Sequence, residues 1–167
     1  MRLDAAQRRV LLAHPAGWIA CGFGAGLSPW APGTVGSAVA LLPWLALRLL
    51  AWPWYAIVVA AAFALGVWAS HRATAHLRLS DPGAIVWDEF VGQWIALAPL
   101  LFFPADARWI LAAFVLFRLF DIAKPWPVSW ADRAVKGGFG VMLDDAIAGA
   151  LAALVLVLLL VGAGAGG

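Results

Sequence analysis

Five apolar stretches, separated by shorter polar segments, dominate the pattern of this chain. Breaks at proline and at clusters of charge place them at about residues 35–51, 54–70, 85–103, 108–122 and 142–161. Such stretches predict membrane-crossing helices, since a helix needs about 20 mainly apolar residues to cross a bilayer. We expect Pro43 to kink the first helix, whereas the fourth stretch is short for a full crossing.

The connections between these stretches alternate in length. Residues 52–53 and 104–107 predict tight turns, whereas 71–84 and 121–141 are longer and polar. An up-down bundle therefore places the N-terminal region and both long connections on one side of the membrane. That side carries nine of the eleven basic residues, namely Arg2, Arg8, Arg9, Arg72, Arg78, Arg118, Lys124, Arg133 and Lys136. Because basic loops stay in the cytoplasm, we expect this side to be cytoplasmic.

Composition favours a membrane protein. Hydrophobic residues make up 65% of the 167 residues and charged residues 12%, whereas soluble domains average about half and about a quarter. A soluble domain of this length cannot bury so much apolar surface. The chain has eleven tryptophans, a residue typical of membrane interfaces. We expect Trp87 and Trp94 to anchor their helix at such an interface. The sparse charge, +2 in total, excludes a nucleic-acid-binding patch, and Cys21 alone can form no disulfide within the chain.

We therefore predict an all-α integral membrane protein, a compact helical bundle of four or five membrane segments with its active site at the cytoplasmic face. It forms a single domain over 1–167, with a basic N-terminal segment at 1–20 and a frayed tail at 162–167. The first apolar run is broken at Pro15, which is too early for a signal peptide, so we expect the N-terminus to be retained.

Acidic residues are few, and most lie at one level. Only Asp106 lies on the far side, whereas five lie at the cytoplasmic ends of apolar stretches: Asp88, Glu89, Asp121, Asp144 and Asp145. Carboxylates at membrane depth are costly, and such residues are candidates for function. The adjacent pair 144–145 favours a functional interpretation, because a helix cap needs only one carboxylate. For the pair 88–89 alone, stabilisation of a helix start is the slightly better interpretation.

Basic and small polar residues occur in motifs near these carboxylates. In F-R-L-F-D-I-A-K-P-W-P, Arg118, Asp121 and Lys124 share a helical face, and Pro125 ends the helix so that the lysine is free to reach an anion. A simple Arg118–Asp121 ion pair is an equally good interpretation. The segment S-P-W-A-P-G-T-V-G-S at 28–37 predicts either a rigid helix start, capped by Thr34 or Ser37, or an anion site. The glycines of V-K-G-G-F-G predict a flexible turn.

Clustered carboxylates without histidine or cysteine partners indicate a hard cation such as Mg²⁺, Mn²⁺ or Ca²⁺. Basic side chains and N–H or hydroxyl donors beside such a metal ion suit the transfer or hydrolysis of a phosphate ester. The chain lacks the Walker loop of P-loop NTPases. It also lacks the motifs of the CDP-alcohol phosphatidyltransferases and of the haloperoxidase-like lipid phosphatases.

Four motifs together resemble the phosphatidylglycerophosphatase A family. They are G-F-G-A-G-L-S-P-W-A-P-G-T-V-G-S, I-V-W-D-E-F-V-G, F-R-L-F-D-I-A-K-P-W-P and G-G-F-G-V-M-L-D-D-A-I-A-G, in the family's order over about residues 22–150. The resemblance implies an all-helical, Mg²⁺-dependent phosphatase of the bacterial inner membrane. It implies conversion of phosphatidylglycerophosphate to phosphatidylglycerol. The five carboxylates above, Lys124, Thr34 and neighbouring glycines carry over as motif positions.

From this resemblance we derive a hypothesis for each residue. One or two Mg²⁺ are bound mainly by Asp88, Glu89, Asp144 and Asp145. The catalytic residues are Asp121, Asp145 and Lys124, with Asp121 as general base or further metal ligand. Candidate phosphate ligands are Ser28, Thr34, Gly36, Ser37, Arg118, Lys124, Arg133 and Lys136. We expect water to attack the phosphate directly, in preference to a mechanism with a covalent phospho-aspartate intermediate.

Two other functions remain open at this stage. A non-catalytic membrane protein that binds Mg²⁺ or anionic lipid is the main alternative. A small transporter ranks last, because its acidic residues would be spread through the bilayer and here they lie on one face.

Overall fold

The computed structural model describes residues 3–77 and 83–164, and its regular structure there is entirely helical. Over these residues it has nine α-helices: α1 (Ala5–Leu12), α2 (Pro15–Ala20), α3 (Pro32–Val39), α4 (Leu41–Leu47), α5 (Trp52–Leu77), α6 (Trp87–Leu97), α7 (Ala107–Ala123), α8 (Val128–Ala134) and α9 (Gly137–Gly162). Short 3₁₀ segments cover Gly22–Leu27 and Ala98–Leu101. The predicted all-α class is confirmed. Arg2, Arg78 and the last three residues of the predicted tail lie outside the described residues.

Helices α6 and α9 pack most closely against each other, with α5 and α7 also against α9. Glycine allows their backbones to touch. A Cβ on Gly92 of α6 would lie 2.8 Å from the carbonyl oxygen of Asp145, and one on Gly149 of α9 would overlap the carbonyl of Gly92. Small residues at such crossings let helices approach closely, which brings α6 beside the part of α9 that carries Asp145.

Two helices are long and apolar enough to cross a membrane. Helices α5 and α9 each have 26 residues, which correspond to about 39 Å of helix against a hydrocarbon core of about 30 Å. The outer face of α9 exposes large apolar side chains such as Leu154, Leu158 and Val161. Long apolar helices with exposed apolar faces are features of a membrane protein.

The other three predicted segments are shorter helices. The stretch at 35–51 is divided into α3 and α4, with the break at Ala40. Pro43 has no N–H to donate to the carbonyl of Val39, so the helix is interrupted one turn before the proline. The stretches at 85–103 and 108–122 contain α6, of 11 residues, and α7, of 17 residues.

Two further expectations are corrected by the packing. The glycines that predicted a flexible turn form the start of α9, because Gly138 lies against the backbone of α5 at Val67. Trp87 and Trp94 are buried, and their indole N–H groups donate to the carbonyls of Ala62 and Ala40, each at 2.9 Å. They stabilise the packing of α6 instead of anchoring it at an interface.

Candidate active site

Five carboxylates meet where α6, α7 and α9 converge, and we call them the acidic cluster: Asp88, Glu89, Asp121, Asp144 and Asp145. They line a cavity of about 440 Å³, together with Lys124, Asp132 and Lys136. The structure therefore brings the five predicted carboxylates to one cavity. Their convergence follows from helix packing, since Asp88 and Glu89 begin α6 beside the α9 segment that carries Asp145.

Three members of the acidic cluster are arranged as a cation would require. One carboxylate oxygen each from Asp88, Glu89 and Asp145 lies within 4.8 Å of the others. Each residue also has a buried oxygen without a hydrogen-bond partner among the described residues, namely Asp88 Oδ1, Glu89 Oε2 and Asp145 Oδ2. Buried carboxylates without partners are unfavourable. Oxygen ligands alone match a hard divalent cation, so the residues present fit Mg²⁺.

Asp144 points to a different partner from its neighbour Asp145. Its Oδ2 accepts a hydrogen bond from the ammonium group of Lys124 at 2.7 Å. Lys124 also donates to Asp132 Oδ1 at 2.5 Å. Of the four carboxylates assigned to the metal from the sequence, Asp144 is thus the one that the structure joins to a lysine.

Lys124 ends α7 in the left-handed conformation, with φ of 43°. The expected helix end before Pro125 is confirmed, and it directs the lysine into the cavity. Burial lowers the pKa of Lys124, but its hydrogen bonds to Asp132 and Asp144 outweigh burial and hold that pKa above its usual value. The same lysine lowers the pKa of Asp132. Both partners are therefore charged near neutral pH.

Asp132 on α8 is a site residue that sequence reasoning missed. The only feature of the sequence that could have indicated Asp132 is its spacing of four residues from Lys136. In the structure, the Nζ of Lys136 donates to the carbonyl of Asp132 at 3.3 Å. That spacing is usual on solvated helix faces. Of the two predicted phosphate ligands in this region, Lys136 lines the cavity, whereas Arg133 is exposed on α8 and is not among the lining residues.

Arg118 forms the ion pair that was one of its two interpretations. Its Nη1 lies 2.6 Å from Asp121 Oδ2 and donates to Ser37 Oγ at 3.2 Å. The guanidinium is not among the groups that line the cavity. It contacts the acidic cluster from the side of α3.

The segment 28–37 forms the start of α3 and lies behind the acidic cluster. Neither predicted cap is present: Ala31, in the left-handed conformation, precedes α3 without a side-chain cap, and Pro32 begins the helix. Thr34 and Ser37 lie within the helix, where Ser37 Oγ donates to the carbonyl of Gly33 at 2.9 Å.

The predicted phosphate ligands of this segment do not line the cavity of the acidic cluster. Ser28 Oγ donates to the carbonyl of Trp30 at 2.8 Å and lines a separate cavity of about 220 Å³. Gly36 packs against Val86, since a Cβ there would lie 2.9 Å from the valine Cβ. Gly33 is the residue that touches the site, because its own Cβ would overlap Glu89 Oε1.

Comparison with known proteins identifies similar chains. The family model for phosphatidylglycerophosphatase A matches residues 18–160. Phosphatidylglycerophosphatase A of Escherichia coli is 44% identical over 154 residues, covering 92% of this chain and 88% of the relative. The Haemophilus influenzae protein of the same name is 43% identical over 151 residues, 89% of this chain and 91% of the relative.

A third relative carries a different name. A Bacteroides thetaiotaomicron protein, provisionally named a phosphatidylinositol-3-phosphatase, is 45% identical over 140 residues, 78% of this chain and 84% of the relative. No solved structure matches the chain significantly.

Proposed function

Because this chain belongs to the phosphatidylglycerophosphatase A family, we propose that it hydrolyses the terminal phosphomonoester of phosphatidylglycerophosphate to phosphatidylglycerol and inorganic phosphate. The observation that carries the proposal is the group of three carboxylates from Asp88, Glu89 and Asp145, each with a buried oxygen that has no hydrogen-bond partner among the described residues. All three residues line a cavity that two lysines also line. Carboxylates for a cation and ammonium groups for an anion are the parts that phosphate-ester hydrolysis needs.

The cation in this proposal is Mg²⁺, held by Asp88, Glu89 and Asp145. Their oxygens are of the ligand type that Mg²⁺ prefers, and substrate phosphate commonly completes its shell. When bound, Mg²⁺ supplies positive charge that stabilises the phosphate oxygens as negative charge develops on them. Asp144 lies next to this group and is available as a further ligand through its buried Oδ1.

The remaining groups bind the phosphate and move a proton. Lys124 and Lys136 line the cavity, where their ammonium groups donate to phosphate oxygens. Asp121, oriented by Arg118, takes a proton from the attacking water as general base. The water oxygen bonds to phosphorus, the bond from phosphorus to the glycerol oxygen breaks, and the departing glycerol oxygen takes up the proton that Asp121 accepted.

We place this site at the cytoplasmic face of the bacterial inner membrane, in a protein with four or five membrane segments. Support comes from the length of α5 and α9 and from the excess of basic residues on the side of the acidic cluster. The substrate then enters from the cytoplasmic leaflet with its phosphomonoester directed into the cavity.

A second candidate substrate is a phosphoinositide phosphomonoester, favoured by the name of the Bacteroides thetaiotaomicron relative. The test is phosphate release by the purified chain from phosphatidylglycerophosphate, phosphatidylinositol 3-phosphate and phosphatidic acid, with Mg²⁺ and with a chelator. We expect the first substrate to have the highest kcat/KM and the chelator to abolish turnover. Binding of Mg²⁺ or lipid with no phosphate release from any substrate would support the non-catalytic alternative instead.

A further inference from the structure

We infer that Arg118 is a positioning residue, which holds Glu89 and Asp121 in place from behind the acidic cluster so that the cluster can bind a divalent cation. From the sequence alone, this arginine was a candidate ligand of the substrate phosphate. Its surroundings in the structure point to other partners, namely a carboxylate, a hydroxyl group and the first turn of α3.

The guanidinium of Arg118 is fixed by two neighbours. Its Nη1 lies 2.6 Å from Asp121 Oδ2 on its own helix and 3.2 Å from Ser37 Oγ on α3. Only 14% of the arginine side chain is exposed, and Ser37 is fully buried. A planar guanidinium with one carboxylate and one hydroxyl partner has a defined orientation, and this orientation in turn fixes the carboxylate of Asp121.

Glu89 and Arg118 both approach the first turn of α3 at a single glycine. A Cβ on Gly33 would overlap Glu89 Oε1 and would lie 3.3 Å from Arg118 Nη2. The carboxylate and the guanidinium therefore both lie against the same point on the first turn of α3. The positive end of that helix adds to the positive charge of the arginine beside Glu89, so α3 and α7 together fix one of the three carboxylates that fit a cation.

The acidic cluster needs such support because its charges repel one another. Five carboxylates lie together, whereas Arg118 and Lys124 are the cations paired with them over the described residues. Repulsion between closely spaced carboxylates is strong where water is scarce. Removing the outer partners of ligating carboxylates typically weakens metal binding about 10–100-fold. Neither Arg118 nor Ser37 lines the cavity, so both act through the carboxylates.

The test is calorimetric titration of the purified full-length chain with Mg²⁺ and Mn²⁺, without substrate. We expect Arg118→Gln to weaken cation binding about 10–100-fold. Arg118→Lys keeps the charge but loses the planar array of N–H donors of the guanidinium, so we expect a loss of cation affinity between those of wild type and Arg118→Gln. Ser37→Ala removes the hydrogen bond from Arg118 and the one donated to the carbonyl of Gly33, and it should weaken cation binding roughly threefold. Arg9→Gln, which removes an exposed charge on α1 away from the cavity, is the matched control and should bind as wild type.

A second readout separates positioning from phosphate binding. At saturating Mg²⁺, Arg118→Lys should lower kcat while KM stays within about twofold. Cation binding at the wild-type level in Arg118→Gln or in Ser37→Ala would overturn the inference, and so would a clearly raised KM in Arg118→Lys. If Arg118→Gln does not fold, the other two variants decide the question in the same way.

The inference rests on the proposed function only for the choice of cation. A wild-type chain that binds no divalent cation would overturn both. A wild-type chain that binds the cation but releases no phosphate would overturn the proposed function alone.

Discussion

Lys124 Nζ lies 2.7 Å from Asp144 Oδ2 and 2.5 Å from Asp132 Oδ1, so that one ammonium group joins the end of α7 to α8 and α9. Asp144 directly precedes Asp145, which belongs to the group of three carboxylates that fit a cation. The lysine therefore fixes the part of α9 that carries the acidic cluster, and it does so from the wall of the cavity.

Replacement of Lys124 by methionine should reduce both stability and activity. The carboxylate of Asp144, only 9% exposed, would lose its charged partner, which costs about 1–3 kcal/mol. We expect unfolding in detergent at lower temperature and a large fall in kcat, measured by phosphate release. Arg108→Met is the matched control, since the exposed Arg108–Asp106 pair contributes at most about 1 kcal/mol. Equal effects of the two variants would contradict the role given to Lys124.

Asp145→Asn tests the group of three carboxylates directly. The change keeps the shape of the side chain and removes one negative charge from three oxygens that lie within 4.8 Å. We expect weaker Mg²⁺ binding by calorimetry and a loss of turnover that saturating Mg²⁺ does not restore. Asp106→Asn at the N-terminal cap of α7, where asparagine caps a helix as well as aspartate does, should leave both unchanged. Wild-type turnover of Asp145→Asn would remove this residue from the mechanism.

The sequence predicts the members of the acidic cluster because carboxylates at the ends of apolar stretches are costly at membrane depth. Asp144 and Asp145 show this most clearly, since one helix cap does not need two acids. The sequence also predicts the end of α7 at Lys124, because the following proline acts locally. Both features depend on residues close in the chain.

The partners of these residues depend on packing, which the sequence pattern does not contain. Asp132 reaches Lys124 only because α8 folds back against the end of α7. The segment 28–37 has the composition of an anion-binding loop, but α3 places Ser37 against Arg118 and Gly33 against Glu89. The sequence pattern also does not show where a helix ends near a proline. The helix here breaks at Ala40, one turn before Pro43.

Thr34→Ala tests whether the segment 28–37 touches the substrate. Thr34 lies in the first turns of α3 and does not line the cavity of the acidic cluster. We therefore expect kcat and KM for phosphatidylglycerophosphate to stay within about twofold of wild type. A clear rise in KM would return Thr34 to the set of phosphate ligands that the sequence predicted.

Gly33→Ala should disable the site without replacing any charged residue. The added methyl group would overlap Glu89 Oε1 and approach Arg118 Nη2 to 3.3 Å, so the glutamate has to move away from Asp88 and Asp145. We expect cation binding and kcat to fall together, by about tenfold or more, while the far-UV circular dichroism spectrum stays helical.

Gly162→Ala is the matched control for this change. It makes the same substitution at the end of α9, where a Cβ meets no atom within 4 Å, and it should bind the cation and turn over substrate as wild type. Cation binding at the wild-type level in Gly33→Ala would show that Glu89 can shift without loss, and would remove the first turn of α3 from the support of the acidic cluster. A fall in Gly33→Ala alone would establish that α3 acts on the site through Glu89, since the changed residue carries no group that binds substrate.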